Sequence, residues 1–138
     1  MTPSALFNFV NFYAFLGWLL LLIAPNWKQT QMIIKFGILL VLAIVYSILV
    51  LKGISTFNFD DFSSLKKVKI LFSKDEALVA GWIHYMAFDL FVGAYIVRKS
   101  IEKCIPRWIF SLILPFTFMF GPVGFLVFTL VSLSKSKD

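Results

Sequence analysis

Residues 75–98 read DEALVAGWIHYMAFDLFVGAYIVR, and they constrain what the rest of the chain can be. Between an acidic start and a basic end it is apolar over the roughly 20 residues that a bilayer crossing requires. Two residues break the apolar run, His84 and Asp89. Each lies within about one helical turn of the centre of the span, and both side chains are too short to reach water at the membrane edge. An ionisable group at that depth costs about 2.5–3.5 kcal/mol on insertion scales, so it marks a working site by default.

The rest of the chain agrees with a membrane setting. Of 138 residues, 60% are hydrophobic and 14% charged, 17 are Phe, and the mean hydropathy is +0.90. A soluble domain of this length cannot hide so much apolar surface. Three further apolar runs, about residues 4–24, 33–51 and 108–133, join the run at 77–97. Trp18 and Trp27 bracket the exit of the first, and Pro25 ends it. Between the second and third spans, Phe62, Leu65, Val68 and Leu71 recur at three-residue steps with Lys66, Lys67 and Lys69 among them. This pattern predicts a short basic helix at about 60–72 in the headgroup plane, with Asp60 and Asp61 at its start. Ser73 and Glu76 match a capping box at the head of the third span. The expected fold is therefore a single all-α domain over 1–138, a bundle of four transmembrane helices with a short interfacial helix between the second and third.

Four helices put both termini on one side. Seven basic residues then share that side (Lys52, Lys66, Lys67, Lys69, Lys74, Lys135 and Lys137) and six lie opposite, which sets no orientation. The formal net charge is +6, but the basic residues sit in short loops beside apolar runs. That points to anionic headgroups as partners and away from nucleic acid. Nothing basic precedes the first run and no small-residue cleavage site follows it, so it reads as a retained helix. An oligomer is compatible with the sequence, although no motif calls for one.

The polar residues inside the spans are candidates for function. His84 and Asp89 are five positions apart, about 140° around a helix, so they do not form a same-face pair. Both border one cavity if the helix is a wall flanked by two others. Otherwise one pairs with Asn8 or Asn11, or with a carbonyl freed by Pro115 or Pro122. Asn8 and Asn11 share a face of the first helix. They either reach the same pocket or sit hydrated at the membrane edge. Gly121 and Gly124 flank Pro122 and let a backbone or ligand approach closely. One His and one Cys, Cys104, are too few for a metal site, and no phosphate loop or nucleophile elbow is present. What remains is an acid and a base in a dry site, suited either to general acid–base chemistry or to hydrogen bonds between helices. A proton-linked carrier is a third reading of the same two residues.

Three segments carry a resemblance. GWIHYMAFDLFVG (81–93), TFMFGPVG (117–124) and FNFVNFYAFLGWLLLLIAP (7–25) are similar to the abscisic-acid-deficient-four-like family of small membrane proteins, over nearly the whole chain. The plant member of that family is needed to form neoxanthin from violaxanthin. The resemblance implies a carotenoid- or isoprenoid-modifying isomerase. It would open an epoxide, remove a proton from the adjacent polyene carbon, and leave an allene and a hydroxyl, with no redox cofactor. His84 and Asp89 are the implied catalytic pair. Trp82 and Tyr85 would shape the pocket. The residue pattern, apart from the resemblance, adds Asn8, Asn11, Gly121 and Pro122 as candidate substrate-binding positions. The ligand would be a membrane lipid or isoprenoid-like molecule. No plastid transit segment is visible, and the short, Lys- and Phe-rich sequence reads as an integral protein of a bacterial cytoplasmic (inner) membrane.

Overall fold

The computed structural model describes residues 1–53, 55 and 58–134. The polar tail, with Lys135 and Lys137, lies outside the described residues. Among these residues there are six helices and no strand: α1 (Pro3–Ile23), α2 (Thr30–Gly53), α3 (Leu65–Leu71), α4 (Asp75–Glu102), α5 (Arg107–Met119) and α6 (Gly121–Ser134). Three of them, α1, α2 and α4, are long and apolar enough to cross a membrane.

Helix α1 starts at the Thr2 cap, whose hydroxyl accepts from the Ala5 amide at 3.2 Å, with Pro3 in its first turn. At its other end Arg107 donates to the carbonyls of Leu22 and Ile23 at 2.7 and 3.0 Å, satisfying groups that the helix itself leaves open. Helix α4 runs parallel to α1, with Phe7 against Trp82 near one end and Trp18 over Gly93 further along. Two glycines set this close approach. A Cβ on Gly93 would lie 2.6 Å from the Trp18 ring, and one on Gly17 would lie 2.8 Å from Leu90.

Helix α2 runs back against both. Tyr13 donates to the Gly37 carbonyl at 2.7 Å, Gln31 to the Ala94 carbonyl at 3.1 Å, and Tyr46 packs on His84. Ile33–Leu39 is π-helical, with the Leu40 amide bonded to the Lys35 carbonyl. A wide turn of this kind leaves backbone carbonyls to outside donors, and Tyr13 takes one.

The connection to α4 holds a 3-10 turn, Phe59–Phe62, and the short α3. Lys67 pairs with Asp60 and holds that carboxyl below the ordinary aspartate range, in an exposed contact of little energetic weight. The expected capping box at Ser73 and Glu76 does not form. Ser73 instead donates to the Ile70 carbonyl at 2.7 Å, closing α3, and Lys74 caps α4 without a side-chain bond. The preceding helix ends so near that its open carbonyl takes the hydroxyl first.

The last apolar run departs from expectation. The single helix expected over 108–133 is two, broken at Phe120 (φ −147°, ψ 73°). Pro115 stays inside α5, whereas Pro122 falls in the first turn of α6, where a missing amide has no cost. Helix α6 then doubles back. Gly124 lies against Thr117, and Lys103, ahead of α5, donates to Ser132 at 2.6 Å. Helices α5 and α6 thus form a hairpin that leaves and returns at one end of the molecule, each arm rising about 20 Å. The N-terminus and Ser134 consequently lie at opposite ends, not on one side.

The hairpin depends on a missing side chain. A Cβ on Gly124 would lie 1.9 Å from Thr117 Oγ1 and 2.6 Å from the Thr117 Cα, so backbone would have to move. Gly124→Ala is expected to destabilise by about 1–3 kcal/mol, as overpacking does. Gly37→Ala, whose Cβ would meet Ile33 at an ordinary 3.6 Å, is expected to be neutral or mildly stabilising. Thermal unfolding of the two variants in detergent checks both.

Candidate functional site

Asp89 stands at the midpoint of α4 and is only 7% exposed. It faces the tip of the α5–α6 hairpin. A Cβ on Gly121 would lie 2.0 Å from Asp89 Oδ1, so only glycine allows the carboxylate to approach the chain there. The Gly121 amide opens α6 and faces the carboxylate. The first amides of any helix lack intrahelical partners and carry its positive end, which favours an anionic group. Tyr85, one turn before Asp89, brings its hydroxyl beside the carboxylate and donates to the Met119 carbonyl at 2.6 Å. The break therefore has its last carbonyl on one side held by Tyr85, and its first amide on the other faced by Asp89.

Asp89 also lines a cavity of about 70 Å³ between α1, α4 and α5. Asn11 and Trp18 line it from α1, Trp82, Tyr85 and Met86 from α4, and Phe118 and Met119 from α5. Asp89 is its only carboxyl, and Asp89 Oδ2 has no hydrogen-bond partner among the described residues. A second polar link borders the cavity. Trp82 Nε1 donates to Asn11 Oδ1 at 3.1 Å, and Asn11 Nδ2 donates to the Phe7 carbonyl at 2.7 Å. At roughly 30 Å³ per water, the space admits about two waters or a small functional group, but not a long chain. Trp82 and Met119 are 37% and 54% exposed, so a longer molecule can lie outside against them.

Of the residues singled out in the sequence, Asp89, Tyr85, Trp82 and Asn11 come together here. Gly121 abuts Asp89 through its backbone, while Pro122 and Asn8 are exposed away from the cavity. His84 is not brought to it. Its ring packs on Phe88 (4.6 Å between centroids) and Tyr46 (5.6 Å), on the α2 side of the helix. The 140° between the two positions decides this, because the helix is a wall with a different neighbour on each side. Sequence reading did not single out Trp18, Met86, Phe118 or Met119 for this site. Trp18 is buried rather than interfacial, since Gly93 leaves room for its ring and Phe118 meets it edge-on at 5.4 Å. The available signal was its spacing of seven from Asn11, which places both on one helix face. Among the described residues, no group of three or more His, Cys, Asp or Glu could hold a metal ion.

A broken apolar helix whose tip meets a buried carboxylate on a membrane-length helix is an arrangement of integral membrane proteins, where irregular backbone survives only inside protein. Sequence comparison narrows the class. The chain belongs to the ABA DEFICIENT 4-like family, whose profile matches residues 5–128, from α1 into α6. Membership points to a carotenoid-related membrane protein. No curated protein and no solved structure matches the chain.

The Gly121–Asp89 contact gives a coupled prediction. Gly121→Ala is expected to destabilise the wild-type protein and to cost less in an Asp89→Ala background, with a coupling of about 0.5–3 kcal/mol. A double-mutant cycle on thermal unfolding measures it.

Proposed function

We propose that this protein is a cofactor-independent isomerase acting on an epoxide-bearing carotenoid or related isoprenoid within the bilayer. The observation that carries the reading is Asp89 Oδ2, a carboxylate oxygen with no hydrogen-bond partner among the described residues, in a cavity where Asp89 is the one carboxyl. In this reading α1, α2 and α4 cross the membrane, the hairpin dips in and returns, and α3 lies in the headgroup plane. The membrane is a bacterial cytoplasmic one.

The polyene lies along the exposed faces of Trp82 and Met119, and only the end group enters the small cavity. Asp89 protonates the epoxide oxygen as the ring C–O bond breaks. The resulting carboxylate removes the proton from the adjacent polyene carbon, and the electron pair of that C–H bond forms the allene. Asp89 is left as it began, so no net proton, electron or co-reactant is consumed. Tyr85, its hydroxyl held by the Met119 carbonyl, stands beside the carboxyl. One group serving as acid and then as base removes the need for His84.

A second reading is favoured by the hairpin contact itself. Asp89 then serves only to hold the tip of the hairpin, in a non-catalytic protein that binds lipid or assists a partner enzyme. Purified protein in vesicles containing an epoxy carotenoid, with products separated by chromatography, distinguishes the two. Under the first reading Asp89→Asn lowers turnover by about 10²–10⁴-fold, the usual range for a general acid–base group, and His84→Ala retains it. Under the second, no turnover occurs in any variant, and Asp89→Asn shows itself only as a lower melting temperature.

A further inference from the structure

Among the described residues, the end of the molecule where α1 stops and α5 starts carries six basic residues: Lys28, Lys35, Arg98, Lys99, Lys103 and Arg107. One described carboxylate, Glu102, answers them. At the opposite end of the described chain, five lysines meet four carboxylates, Asp60, Asp61, Asp75 and Glu76. Most of the six have protein partners. Arg107 closes α1, Lys103 holds Ser132, and Lys99 contacts Glu102 at 2.5 Å. Arg98 shares the same Glu102 at a looser 3.8 Å. Lys35 has no ion pair among the described residues, and its ammonium lies 4.9 Å from the Phe36 ring centroid.

Lys35 and Arg98 line one cleft of about 230 Å³ between α2 and α4. It shares no lining residue with the Asp89 cavity. Two helices supply its walls. The π-helical turn presents Ile34, Lys35 and Leu39 to it, and Tyr95 is fixed by packing on Phe125 and Phe128. Gln31, also at the cleft, ties the two helices through Ala94. Leu39 and Phe91 continue the lining as an apolar slot below the cations.

We propose that this cleft binds the phosphate headgroup of an anionic membrane phospholipid, with an acyl chain lying along Leu39 and Phe91. Arg98 offers the planar fork that suits phosphate oxygens, and Lys35 supplies a second positive charge. The net positive charge of this end adds the long-range attraction that an anionic leaflet feels. The apolar slot favours a lipid over a free phosphate, because an ion alone leaves it empty. The proposal is independent of the acid–base reading of Asp89.

Native mass spectrometry of the detergent-purified full chain tests it, with phosphatidylglycerol, phosphatidylcholine and inorganic phosphate as probes. One phosphatidylglycerol is expected to remain bound at concentrations where phosphatidylcholine does not. The Lys35→Gln/Arg98→Gln double variant should weaken that binding about tenfold or more, and Lys35→Gln alone should weaken it by less. Lys28→Gln/Lys103→Gln removes the same charge outside the cleft, at residues that do not touch Glu102, and should leave the selectivity intact. Equal retention of the two lipids, or wild-type binding by both cleft variants, overturns the proposal. So does equal loss in the control pair, which marks diffuse attraction, and so does displacement of the lipid by inorganic phosphate at matched concentration.

Discussion

A peptide chain that stops and restarts a helix among apolar groups leaves amides and carbonyls with nowhere to go, and the rest of this structure answers that constraint. The break at Phe120 is made locally, by Gly-Pro in the first turn of α6. It is tolerated because α4 supplies both missing partners from one face, the Tyr85 hydroxyl and the Asp89 carboxylate. An unsatisfied backbone group in hydrocarbon costs several kcal/mol, so the contact and the break depend on each other. The position of Asp89 at mid-helix follows from the reach of the hairpin, whose arms are about half to two-thirds as long as a full crossing.

Close packing extends the same logic. Gly17 and Gly93 let α1 and α4 approach until Trp18 lies on the backbone of its neighbour, and Gly124 does the same for the two arms of the hairpin. In lipid there is little hydrophobic drive between helices, so dispersion across such crossings carries the association. The Asp89 cavity is what remains where α1, α4 and α5 meet. It is small because the helices around it are close, and its walls are mostly apolar because Trp18, Met86 and Phe118 fill the gaps.

Much of this was legible in the sequence, and the reasons are specific. A polar residue in an apolar run has few explanations, so Asp89 marked itself, and Trp82 and Tyr85 share its helix at helical spacing. The hairpin was not legible. Residues 108–133 have the length and hydropathy of a crossing, and neither property records whether a Gly-Pro pair kinks a helix or reverses it. That decision rests on Asp89 and Tyr85, some 30 residues away. His84 illustrates the converse. Its place along the helix follows from position alone, but its neighbours depend on which helix lies on which side, a tertiary fact. The capping box failed for a local reason, since α3 ends two residues before Ser73 and competes for its hydroxyl.

The doubled-back arm of α6 changes the parity of the chain. A segment that goes in and out on its own side adds nothing to the tally of crossings, so under the proposed topology the tally is three, an odd number. The start of α1 and the end of α6 then face different compartments. The insertion machinery has to translocate the loop between α2 and α4 together with the N-terminus, or neither of them.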